Sequence, residues 1–346
     1  MALNRYVLRK NPAKMKNNII HPHLPSSMSM KLKEIYEKAV EMGRDSDIRS
    51  EDALEKELEK AREEYEELEG KDKEVFDQQR LENPFHDSRL LYGDAEAEVE
   101  SVLVGINIDT GEVMLADRLS EKGKNIDLII GHHPRGIGLA SLYEVMDLQK
   151  DMLEEYGVPI NIAEGLINER MKVIERKLKG ANFNQSLDSA KLLDIPMMCI
   201  HTPSDNLVDR FLKEKIKEND FEKVGDVVEF LSEIPEYHEA RKFKGGPYVM
   251  VGNEENRAGK VVVEMTGGTG GNKDSYEKLA DAGVGTIIGM HLSEEHRKKA
   301  EKHHINYVIA GHMASDSLGM NLFLDEIEKE GVNIVPCSGF IRHSRN

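Results

Sequence analysis

"NIDLIIGHHPRGIG", residues 125–138, carries the reading of the whole chain. Leu128, Ile129 and Ile130 form a short, continuous apolar run. A run without polar alternation is the pattern of a strand covered on both faces, as in parallel sheets. Gly131 and Pro134 end it. His132 and His133 therefore sit at the lip of a buried strand, where open α/β sheets place their ligands. A histidine pair alone is most often a solvated turn, so its meaning depends on what the rest of the chain brings to it.

Working outward, runs of the same texture recur: "VESVLVGINID" (99–109), "PMMCIHT" (196–202), "GKVVVEM" (259–265), "VGTIIGMH" (284–291), "NYVIAGH" (306–312) and "VNIVPCSG" (332–339). Helical patterns lie between them, such as "SLYEVMDLQKDMLEEYG" (141–157), with Leu142, Val145, Met146, Met152 and Leu153 on one face. Strands alternating with helices predict an α/β protein with mainly parallel sheets flanked by helices. A charged stretch, 211–247, ends in Gly-Gly-Pro and sets a soft boundary near residue 240. The expected organisation is a leader and acidic helical extension over 1–87, a first lobe over 88–240 and a second over 241–346. In the extension, Leu32, Ile35, Tyr36 and Val40 give an amphipathic helix, Ser50 is placed to cap a second one, and Gly70 is expected to end it. No chemistry is read there.

The 346 residues carry 47 basic and 64 acidic side chains, a net charge of −17, with no tryptophan. A chain without a basic footprint is a poor nucleic-acid binder. No stretch has the apolar length of a membrane span. The basic N-terminus (1–30) lacks the apolar core of a secretory signal and reads as a poorly ordered leader or an upstream start ahead of Met28 or Met30. A cytoplasmic protein is expected. Cys199 and Cys337 lie in apolar contexts and read as reduced, buried thiols rather than a disulfide or zinc framework.

Three strand ends then line up. The first gives His132 and His133. In the second, "MMCIHTPSDNL" (197–207), His201 ends a strand and Asp205 follows four residues on. In the third, "INYVIAGHMASDSLGMN" (305–321), His312 follows a strand and Asp316 comes four later. A helix opening at His312 would put His312 and Asp316 on one face, although Ser315 could instead cap that helix. Histidine with carboxylate suits a divalent transition ion: Zn, Fe, Mn, Co or Ni. The five donors His132, His133, Asp205, His312 and Asp316 exceed the needs of one open catalytic ion and fit two ions about 3.5–4 Å apart.

The segments "DLIIGHHPRG", "CIHTPSDNLVD" and "INYVIAGHMASDSLGM" resemble, in order, the three signatures of the Nif-three-like dinuclear metal-centre family, also described as GTP cyclohydrolase I type 2 homologues. The Gly-rich stretch 261–296 resembles that family's turn and following strand, and the resemblance covers residues 88–346. It implies metal ligands at His132, His133, Asp205, His312 and Asp316, a two-lobed α/β fold with the site between lobes, and a ring-shaped homohexamer. This chain departs from the pattern in having Asp316 where glutamate is usual and His291 where the family tends to have Thr-Gly-Glu. It also has a longer interval between His133 and Asp205, with an apparent insert near 135–195, and it carries the N-terminal extension.

"TGGTGGNKDS" (266–275) is a strand–glycine–helix junction of the kind that receives anions. It matches no nucleotide-loop motif; tight backbone packing is one reading, and a substrate-phosphate contact through Thr269, Asn272 or Lys273 the other. His201 and His291 are the expected catalytic side chains, as proton shuttles beside the metals. The expected function is hydrolysis of a phosphoester or nucleotide-like substrate by water activated between two ions. The alternatives are a metal-binding, ring-forming scaffold or regulator without turnover, and a metal chaperone or store.

Overall fold

The computed structural model describes residues 29–346. The expected leader, with His21 and His23, lies outside the described residues apart from its last two positions. Two sheets organise the fold. The first runs in the order Asn333–Cys337, Ser101–Gly105, Leu128–Gly131, Met197–Cys199, Arg89–Tyr92. All its pairings are parallel except the last. The second runs Tyr248–Val251, Asn306–Ile309, Val284–Gly289, Lys260–Glu264, with Tyr248–Val251 antiparallel and the rest parallel.

The apolar strands are short because each must be covered twice. Leu128 and Ile130 point into one core with Val102, Val104 and Met198; Ile129 points into the other with Leu103 and Met197. Leu32, Ile35 and Ala39 of helix Leu32–Asp45 cover the first face, together with Phe323, Leu324 and Ile327 of helix His312–Lys329. The N-terminal extension is thus part of the first core. Ser50 caps helix Glu51–Glu67, accepting from the Ala53 amide at 3.2 Å, but the helix ends at Glu67 and Gly70 opens a further short helix.

The lobes interleave. Helices Leu148–Glu155 and Ile160–Leu178, inside the segment read as an insert, leave the first sheet and cover one face of the second, packing Met152, Leu153, Tyr156 and Ile167 on Val262, Ile287 and Tyr307. Helix Thr202–Lys217 and the helices after it cover the other face. The last strand, Asn333–Cys337, returns to pair with Ser101–Gly105, so residues 241–346 do not close on one sheet. Strand texture marks where elements lie but not which sheet receives them, and that is why a boundary drawn near 240 misses this return. No helix among the described residues is long and apolar enough to cross a membrane.

The two helices that carry the carboxylates cross at Gly319. A Cβ there would lie 2.2 Å from the Ser204 carbonyl oxygen, one residue from Asp205. Backbone cannot yield as a side-chain tip does, so this approach requires glycine. Gly319→Ala is expected to cost about 1–3 kcal/mol in urea unfolding and to weaken metal uptake by separating the helices. A variant with wild-type stability and metal content would show that the crossing is not tight in solution.

Candidate metal centre

The strand ends of both sheets converge. His132 and His133 follow Leu128–Gly131. His201 precedes helix Thr202–Lys217, whose first turn carries Asp205. His312 opens helix His312–Lys329, and Gly311 occupies its N-cap at φ 125°. Ser315, one of the expected caps, lies instead inside that helix, fully buried, with its hydroxyl donating to the Gly311 carbonyl at 2.8 Å. The four-residue spacing holds: Asp316 is 0% exposed and faces the histidines.

Asp316 Oδ1 is 3.5 Å from His132 Nε2. Its Oδ2 is 3.4 Å from His133 Nε2 and 3.6 Å from His312 Nε2. Asp205 Oδ1 is 3.5 Å from the same His132 nitrogen. Donors on one tetrahedral ion at about 2.1 Å lie about 3.4 Å apart, so these separations suit a cation at the centre. They are too long for hydrogen bonds. Asp205 Oδ1 and both Asp316 oxygens are buried without a hydrogen-bond partner, a costly arrangement that a bound cation relieves. The ligand atoms fall into groups within 4.8 Å: His132, Asp205 and Asp316; His133, His312 and Asp316; and His132, His133 and His201.

The imidazoles are set for this. His132 Nδ1–H donates to the Ile200 carbonyl at 3.1 Å, and His133 Nδ1–H to Asn107 Oδ1 at 2.8 Å, which leaves each Nε2 lone pair toward the carboxylates. Burial holds His132 well below the usual histidine range against the pull of Asp316. It likewise brings His312 down to about 4. Burial pushes the Asp316 carboxyl up, but His132, His133 and His312 outweigh it and hold it at about 2. Neutral imidazoles around an ionised carboxylate are the protonation states a transition ion binds.

His201 sits beside the cluster, its ring 4.8 Å from that of His132. Its Nδ1–H donates to Asp87 Oδ2 at 2.7 Å, and the Thr202 hydroxyl donates to the same oxygen. Asp87, fully buried, escaped the sequence reading, as did Asn107; neither belongs to a motif. Burial lowers His201, but Asp205 and Asp87 outweigh it and raise the group to about 9. His291 lies exposed at the rim, its ring edge-on to His312 at 4.8 Å between centroids.

The glycine turn roofs the cluster, and a cavity of about 70 Å³ lies between, lined also by Glu264 and Tyr307. Gln149, from the insert, donates to the carbonyls of Gly267 and Thr269, both at 2.6 Å; Arg170 donates to that of Gly270 and His296 bonds that of Gly271. The N–H groups of Gly268, Gly270 and Gly271 donate to no described residue. Of the phosphate candidates, Thr269 lines the cavity, but Asn272 is spent on the Leu166 carbonyl and Lys273 on Glu295. A larger cavity of about 620 Å³, beside helix Leu32–Asp45, contains none of these histidines.

Fold and site together define a two-lobed α/β protein with a buried histidine–aspartate cluster able to hold metal. No family model matches the chain, and no curated protein does. Among solved structures, a NIF3 superfamily protein from Sphaerobacter thermophilus is 28% identical, over 73% of this chain and 91% of that one, with a TM-score of 0.67. A Bacillus cereus protein related to NIF3 is 12% identical over 92% and 99% (TM-score 0.45). Reduced HcgD from Methanocaldococcus jannaschii is 15% identical over 71% and 87% (TM-score 0.42). The chain has a Nif-three-like fold.

Proposed function

We propose that the protein is a dinuclear metal-dependent hydrolase acting on a phosphoester or nucleotide-like substrate. The observation that carries this is the division of the Asp316 carboxylate: one buried, unpartnered oxygen faces His132, the other faces His133 and His312. His132, Asp205 and Asp316 would hold an inner ion, and His133, His312 and Asp316 an outer one. Such ions supply Lewis-acid activation of water and stabilise charge on a phosphoryl oxygen. The chain's own part is to place an anion against the free N–H groups of the glycine turn, to exclude bulk water beneath it, and to hold the His201 ring through Asp87.

One observation favours the second reading, a metal-binding, ring-forming scaffold without turnover. The cavity of about 70 Å³ is well below the roughly 300 Å³ at which small-molecule sites begin. A nucleotide enters only if the pinned turn lifts. On either reading the family resemblance carries a homohexameric ring.

A panel of phosphoesters, dinucleotides and GTP, assayed with added Zn, Mn, Fe, Co or Ni against wild type and Asp205→Ala, separates the two. The expected result is hydrolysis of at least one substrate class by wild type and a loss of about 100-fold or more in the variant. Metal-replete wild type that turns over nothing supports the scaffold.

A further inference from the structure

We propose that His291, delivered by the second sheet, is a further protein ligand of the outer metal position formed by His133, His312 and Asp316. This rests on the two-position reading above. Strands Val284–Gly289 and Asn306–Ile309 are parallel neighbours paired Gly289 to Ile309, so their exits lie side by side. That register brings the residue two beyond Gly289 against the residue three beyond Ile309. The His291 and His312 rings meet edge-on at 67°, and His312 lies 5.2 Å from His133 by centroids. His291 also feels the charges of Asp316 and His133.

Ring tethering separates two classes of histidine here. His132, His133 and His201 each have Nδ1 tied to an oxygen of the protein. The His291 ring bonds no described residue and stands exposed at the rim of the cavity that His312 and Asp316 line. Free to rotate, it can turn a nitrogen toward a cation beside His312 at little cost. The outer group then has four protein donors drawn from both sheets, the complement of a closed site, whereas the inner group keeps three and an open place. The outer ion would tie the lobes together while the inner position receives the reactant.

The test uses the full chain, stripped with chelator and titrated with Co²⁺ and separately with Zn²⁺ in equilibrium dialysis, for wild type, His291→Ala and His291→Gln. Wild type is expected to take up two equivalents. Both variants should bind one of the two equivalents, the outer, at least about tenfold more weakly and leave the other unchanged. The visible absorption of the weakened Co²⁺ should fall as a water replaces the imidazole. Unchanged affinities and spectra for both equivalents in both variants would overturn the proposal. Wild type that binds fewer than two equivalents overturns the two-position reading itself, and this inference with it.

Discussion

Asp316→Asn is expected to strip both proposed metal equivalents from the protein, where loss of His132 alone removes one. The carboxylate has one oxygen 3.5 Å from His132 Nε2 and the other 3.4 Å from His133 Nε2, so both proposed ion positions would draw on it. An amide offers one weak acceptor and an NH₂ group that would face a cation with the wrong polarity. Replacing His132 should empty the inner position and leave the outer occupied. Metal content by mass spectrometry, on protein made without a histidine tag or chelator, gives the comparison: about two equivalents for wild type, one for His132→Ala and fewer than 0.2 for Asp316→Asn, an order-of-magnitude expectation from the loss of a shared charged ligand. One equivalent surviving Asp316→Asn would show that the aspartate serves a single ion. Its side chain is one methylene shorter than the glutamate that the resemblance implies, and its two oxygens face different histidines.

The clustered side chains were legible in the sequence because the histidines stand directly after apolar runs, and the carboxylates follow histidines at helical spacing. His132, His133, Asp205, His312 and Asp316 come together for that reason. Their supporting residues left no such trace. Asp87 meets His201 across 114 positions, and Asn107 meets His133 across 26. Neither contact follows from local pattern, since it depends on which strands pair. The same limit hid the interleaving of the lobes. Helix Leu148–Glu155 has a clear apolar stripe, but a stripe does not name the sheet that will cover it, and it packs on the second rather than the first. Gln149, a polar residue on that helix, is not singled out by the sequence pattern. It is 3% exposed and holds two carbonyls of the glycine turn, so the insert contributes to the roof of the metal site.

Glu264 was invisible for the opposite reason: it ends a strand that reads well without it. Burial pushes its carboxyl from the ordinary 4.5 up to about 7, with the Tyr307 hydroxyl, donating at 3.1 Å, pulling the other way. The folded protein therefore holds a proton that the unfolded chain releases. Stability should fall as pH rises from about 4.5 through 7 and stay lower above it, by up to about 3 kcal/mol for a shift of this size. Glu264→Gln removes that cost while keeping an oxygen for Tyr307 to donate to. Urea unfolding of chelator-treated protein should find the variant equal to wild type at pH 4.5 and more stable by up to about 3 kcal/mol at pH 8. Some slope should persist in the variant, because burial also raises Asp209, to about 6, against Lys213. Wild-type and variant stabilities that run parallel between pH 4.5 and 8 would mean that Glu264 ionises as in water. If the expected difference is found, the fold tolerates at neutral pH a half-protonated carboxyl lining the cavity beside Asp205 and Asp316. A glutamine would make that position more stable. What the glutamate adds is a group that can give or take a proton where a substrate would sit, the property a hydrolase uses and a scaffold does not.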